Sequence, residues 1–118
     1  MDFATYQTKS SVTWKSINRQ TDELHALIGL SGEVGELHEK VKKLHRDAFP
    51  QVSDLTAIRG IIASSSGDLG AEIGDILYYL ARVCDIYGLN LQECAEGNIE
   101  KIMSRKERGV LSGSGDNR

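Results

Sequence analysis

The sequence predicts an all-α, four-helix-bundle-like fold, and three observations predict it. One proline in 118 residues leaves almost nothing to interrupt helical hydrogen bonding. Apolar residues recur three and four positions apart, which is the period of a helix face. Gly88 and Gly109 stand where two periodic segments end, as left-handed helix caps do. The length suits one domain over residues 1–118, with 110–118 expected as a Gly/Ser-rich flexible tail without periodicity. A helical chain this short is also expected to bury part of its apolar surface in an oligomer.

A first helix is expected from about Asp2 to Trp14, capped by Asp2 and carrying Phe3, Tyr6 and Trp14. A second is expected from about Thr21 to Arg46, with an acidic first turn at Asp22 and Glu23 and a stop at Pro50. Residues 47–66 read less clearly. Ser53 suits the cap of a short helix through Leu55, Ile58, Ile61 and Ile62, and Ser64-Ser65-Ser66-Gly67 reads as a loop. A third helix should run from Asp68 to Tyr87, and a fourth from Asn90 or Leu91 to Arg108.

Bulk properties exclude several classes. A net charge of −3 argues against a nucleic-acid polymer as partner, although Lys101, Arg105, Lys106 and Arg108 form a local basic cluster. No apolar run reaches membrane length, and the N-terminus lacks a signal-peptide layout. Cys84 and Cys94 show neither C-x-x-C nor zinc-finger spacing, so both read as reduced residues of a cytoplasmic protein that does not span a membrane.

The chemistry concentrates in two acidic pairs. On the second helix Leu27, Leu30, Val34, Leu37, Val41 and Leu44 make an apolar stripe, and Glu33 and Glu36 flank it, three apart. Gly29, Gly32 and Gly35 lie on the same broad side. Glycine costs a helix about 1 kcal/mol each against alanine, which suggests close approach of another backbone or a ligand. The third helix repeats the device: Glu72 and Asp75 flank a stripe of Leu69, Ile73, Ile76, Leu80, Val83 and Cys84, with Gly74 between them. If the stripes pack antiparallel, four carboxylates meet. Ionised and unpaired they would repel and resist desolvation, and a hard divalent cation resolves both problems. Magnesium prefers oxygen ligands and bridges substrate phosphates. The same spacings also fit solvated faces pairing with Lys40, Lys42, Lys43 or Arg82. A di-iron carboxylate bundle would need Glu-x-x-His motifs, and none occurs.

At Gly32-Glu33-Val34-Gly35-Glu36-Leu37 and Glu72-Ile73-Gly74-Asp75 the sequence resembles the MazG-like all-α nucleoside triphosphate pyrophosphohydrolases, whose signature is E-x-x-E followed by E-x-x-D. Asn98-x-x-Lys101-x-x-x-Arg105 and the ending Gly113-Ser114-Gly115-Asp116-Asn117-Arg118 add to the likeness, which covers roughly residues 24–46 and 67–118. The resemblance implies a four-helix core assembled as a homodimer or homotetramer, with active sites lined partly by neighbouring subunits. It implies Mg2+, with Mn2+ as a substitute, on Glu33, Glu36, Glu72 and Asp75, and water attack on a (d)NTP, dNTPs favoured, to give monophosphate and pyrophosphate. Glu36, ahead of Glu33, is the expected catalytic carboxylate that orients the water or takes its proton. Lys101 and Arg105 face the phosphates, Asn98 the sugar or phosphate, and Tyr79 the base or sugar. Arg118 with the tail is an alternative phosphate wrap, His25 a structural residue. Residues 47–66 form an insertion readable as a lid, an oligomer contact or a tolerated loop. Two other readings remain open: a phosphoribosyl-ATP pyrophosphohydrolase, and a non-catalytic nucleotide-binding helical oligomer.

Overall fold

The computed structural model describes residues 1–115 and contains helices and no strand among them. Helix α1 spans Phe3–Ser11, and Asp2 caps it by accepting the Thr5 N–H at 2.7 Å. It stops short of Trp14. In this Ser/Thr-rich end the hydroxyls of Ser10, Ser11 and Thr13 donate back to carbonyls three residues earlier. Such local bonds compete with helix continuation. Trp14 is thereby released to pack elsewhere.

Helix α2 spans Arg19–Lys43 and begins two residues before the expected Thr21, because Asn18 is the cap: its side chain accepts the Thr21 N–H at 2.9 Å. Asp22 has a different task from a solvated dipole partner. It is buried, and its carboxylate accepts the Ser16 hydroxyl at 2.5 Å and the Ile17 N–H at 3.0 Å, closing the α1–α2 loop. These bonds, the Ser16 hydroxyl first, hold its carboxyl below the usual aspartate range. A depressed carboxylate contributes stability above its unfolded pKa and loses it as pH falls through the folded one. Asp22→Asn should therefore melt well below wild type at neutral pH. The two melting curves should converge as pH drops below the ordinary aspartate range, read by thermal melts from pH 7 to pH 3.

After α2 the chain continues through a π-helical turn, Leu44–Ala48, and a 3-10 turn, Phe49–Gln51, that includes Pro50. Helix α3 then spans Leu55–Tyr87, capped by Asp54 rather than Ser53. The expected loop at residues 64–67 does not exist. Ser64 and Ser65 donate to the Ile61 carbonyl and Ser66 to that of Ala63, so the serines satisfy themselves inside the helix and Gly67 is tolerated there. Most of the insertion thus becomes extra helix: α3 has 33 residues, about 50 Å of rod at 1.5 Å per residue. Gly88, at φ 66°, ends it as expected, and α4 runs Leu91–Glu107 under an Asn90 cap.

Contacts between α2 and α3 descend on one helix as they ascend on the other: Glu23 with Tyr87, Gly29 with Tyr79, Lys40 with Glu72 and the Asp68 carbonyl. The two helices are an antiparallel pair, and α1 lies across α3. Buried Arg82 fastens α1 down. Its guanidinium donates to the Gln7 carbonyl at 2.8 Å and the Ser10 hydroxyl at 2.9 Å, pairs with Asp85 at 3.2 Å and sits over the Tyr78 ring. It is therefore no solvent partner for the acidic pair. Gln7 clamps the α3–α4 corner, donating to Asp85 and the Leu89 carbonyl and accepting the Leu91 N–H.

The apolar interior is thin. Among the described residues the buried apolar side chains are Ala26, Ala81 and Cys84, whereas Leu24, Leu27, Ile28 and Ile73 are 43–68% exposed. The radius of gyration is 18.1 Å, against about 13–14 Å for a compact chain of this length. The surface of 8288 Å² compares with about 6,300 Å² for a compact monomer of this mass. No helix among the described residues is long and apolar enough to cross a membrane.

Candidate active site

The antiparallel pairing decides the site. Glu33 on α2 and Glu72 and Asp75 on α3 each offer a carboxylate oxygen, and the three oxygens lie within 4.8 Å of one another. Glu72 is buried, Glu33 half-buried and Asp75 exposed, so the cluster forms a shallow acidic recess that runs from the α2–α3 interface out to solvent. Burial, then the charges of Asp75, Glu36 and Glu72, push the Glu33 carboxyl above the ordinary glutamate range. Lys40 answers part of this negative charge. Its ammonium pairs with Glu72 at 2.6 Å and donates to the Asp68 carbonyl at 3.3 Å, and the Glu72 bond raises the Lys40 pKa.

An all-oxygen, carboxylate donor set with this much uncompensated charge fits a hard divalent cation such as Mg2+ or Mn2+, and offers no nitrogen or sulfur ligand for a softer one. Glu36 stands one turn beyond Glu33, exposed and outside the three-residue cluster, but near enough to act on Glu33.

Next to the carboxylates lies an aromatic cluster. Trp14 stacks on His25 at 4.6 Å between centroids and meets Tyr79 edge-on at 6.4 Å, and Tyr78 meets Tyr79 at 5.4 Å. Tyr79, expected beside base or sugar, is one turn from Asp75. Burial, then the Glu33 charge, raise its phenol pKa. Tyr6 also reaches this region, donating to the Gly74 carbonyl at 3.5 Å. His25 belongs to the aromatic wall. Sequence periodicity could not show this, because the wall is assembled from three separate segments.

The glycines divide. A Cβ on Gly29 would lie 2.2 Å from Tyr79 Cε1, whereas Gly32, Gly35 and Gly74 have open space where a side chain would go. Close approach occurs at one glycine only, and the approaching group is a ring rather than a backbone.

The basic residues lie elsewhere. Asn98 and Lys101 are on the exposed surface of α4, which packs on α1 and around the Gly88 corner of α3. Arg105 is buried and donates to the Gly115 carbonyl at 3.4 Å. Arg118 lies outside the described residues. The charges acting most strongly on Glu33 include none from α4.

A sequence model of the MazG nucleotide pyrophosphohydrolase domain matches residues 20–110. The chain belongs to that family. The match takes in both acidic pairs and, but for Arg19, the α2–α3 hairpin. Family membership brings nucleotide pyrophosphohydrolase chemistry. Among curated proteins, the Gene 37 protein of Mycobacterium phage L5 is 39% identical over 95 residues, covering 80% of this chain and 75% of the phage protein. No solved structure matches.

Proposed function

We propose that this MazG-family chain hydrolyses nucleoside triphosphates, deoxynucleotides in particular, to the monophosphate and pyrophosphate, in nucleotide pool control or house-cleaning. The observation that carries the reading is the convergence of Glu33, Glu72 and Asp75 from two helices on one point. Glu33, Glu72 and Asp75 would hold Mg2+ there, with Glu36 completing the set on the solvent side. A bound divalent cation supplies phosphate charge neutralisation and eases ionisation of a nearby water.

The chain's own groups do the rest. The Glu36 carboxylate, exposed at the rim, orients the attacking water and accepts its proton as the oxygen attacks phosphorus; the bridging oxygen leaves with pyrophosphate. Lys40, beside Glu72, holds that carboxylate in place and keeps a positive charge at the edge of the recess. Trp14 and Tyr79 give the nucleoside an apolar wall one turn from the phosphates. Asn98 and Lys101, exposed on α4, reach the phosphates from a neighbouring copy, because α4 packs on α1 and the end of α3, whereas buried Arg105 is held by its own tail. The chain works as a homodimer or homotetramer, and its exposed apolar residues support that assembly.

The test is product analysis for the eight common NTPs and dNTPs with Mg2+. Equimolar monophosphate and pyrophosphate, with deoxynucleotides turned over fastest, is the expected result. Orthophosphate as first product would overturn the assigned bond. Turnover of phosphoribosyl-ATP alone would move the chain to that reaction, and tight nucleotide binding without turnover would make it a binding protein.

A further inference from the structure

We propose that Gly29 is a positioning residue: its bare backbone is the seat that fixes the Tyr79 ring and thereby sets the α2–α3 spacing at which Glu33 meets Glu72 and Asp75. The proposal rests on the reading of those carboxylates as the metal site. Gly29 lies four residues before Glu33 on α2, and Tyr79 four residues after Asp75 on α3. In an antiparallel pair, the Gly29–Tyr79 layer is therefore the one adjoining the carboxylates.

The fit there is tight. An added Cβ would lie 2.2, 2.4 and 2.7 Å from three atoms of the Tyr79 ring, where carbon atoms need about 3.5 Å or more. The half-buried ring is bordered by three others. Trp14 stands against it edge-on at 6.4 Å, His25 at 6.2 Å and Tyr78 at 5.4 Å between centroids. A methyl at position 29 must displace the ring, which neighbours Glu33, or push α2 away from α3. Either shift, an ångström or so, disturbs three oxygens that must gather about one small cation of demanding geometry. The other glycines of the motifs face open space, so the requirement is specific to position 29.

The experiment is a double-mutant cycle of Gly29→Ala with Tyr79→Ala, read by calorimetric binding of Mn2+ alone, by the Mg2+ concentration for half-maximal activity, and by thermal melting. Gly29→Ala in wild type should weaken Mn2+ about tenfold, raise the half-activating Mg2+ to match, and lower the melting temperature. In the Tyr79→Ala background the same change should leave Mn2+ affinity within about twofold and raise the melting temperature, because alanine is the better helix former once the ring is gone. An equal loss of Mn2+ affinity in both backgrounds would overturn the proposal. So would a lower melting temperature with Mn2+ affinity untouched, the mark of a merely structural glycine. If wild type binds no Mn2+, the metal reading and this proposal fall together. If it binds Mn2+ without the coupling, only the positioning role falls.

Discussion

Glu33→Gln should abolish pyrophosphate release and at the same time make the metal-free protein more stable at neutral pH. The first effect follows from replacing one of three converging carboxylates, the proposed cation ligands, by a neutral amide. A loss of at least about a thousandfold in kcat/KM is expected, equivalent to roughly 4 kcal/mol of transition-state stabilisation. The second follows from electrostatics. Burial and the neighbouring carboxylates raise the Glu33 pKa in the folded chain. A raised carboxyl contributes stability that is present below its unfolded pKa and lost as pH rises through its folded one, so at neutral pH the ionised group works against the fold. Glutamine keeps the shape and removes the charge. In chelator, thermal melts should rank Glu33→Gln above wild type at pH 7 and bring the two together at acidic pH. Added Mg2+ should reverse the order, because ligand binding stabilises only the protein that retains the site. A variant that is both inactive and less stable in chelator would mean that Glu33 serves the packing and not a cation.

Leu24→Asp combined with Ile28→Asp should dissociate and silence the proposed homo-oligomer. Both side chains lie one turn apart on α2 and are 55% and 68% exposed. The chain exposes roughly 2,000 Å² beyond a compact monomer of its mass, an excess in the range that obligate interfaces bury. Covering one such side chain contributes about 1.5–3 kcal/mol. Two aspartates per chain should therefore raise the dissociation constant at least a hundredfold. Sedimentation should show a dimer or tetramer for wild type and a monomer for the variant. Activity should fall with the mass, because Asn98 and Lys101 lie on α4, away from the recess in their own chain. A wild type that is monomeric at micromolar concentration and fully active would sink this arrangement.

The all-α class, the Asp2 and Gly88 caps and both acidic pairs were legible in the sequence, because each rests on local chemistry: a period, a capping side chain, a residue three positions away. The resemblance carried by those acidic pairs pointed to the family that residues 20–110 match. Two readings failed, one for a local reason and one for a distant one. Ser64–Gly67 has loop composition, yet each serine bonds its own helix and α3 runs on. Arg82 carries a surface-type charge, yet it is buried because α1, distant along the chain, supplies its partners.

Spacing alone placed Glu33 and Glu36 on one flank of a helix and Glu72 and Asp75 on another. Only the antiparallel register of α2 and α3 decided that Glu33, Glu72 and Asp75 share one recess and that Lys40 closes one edge of it. The same register put a tyrosine ring over Gly29 while leaving Gly32 and Gly35 uncovered. Helix periodicity follows from the chain's own backbone geometry, whereas register is set by which side chains meet across a gap, and that information belongs to pairs of segments.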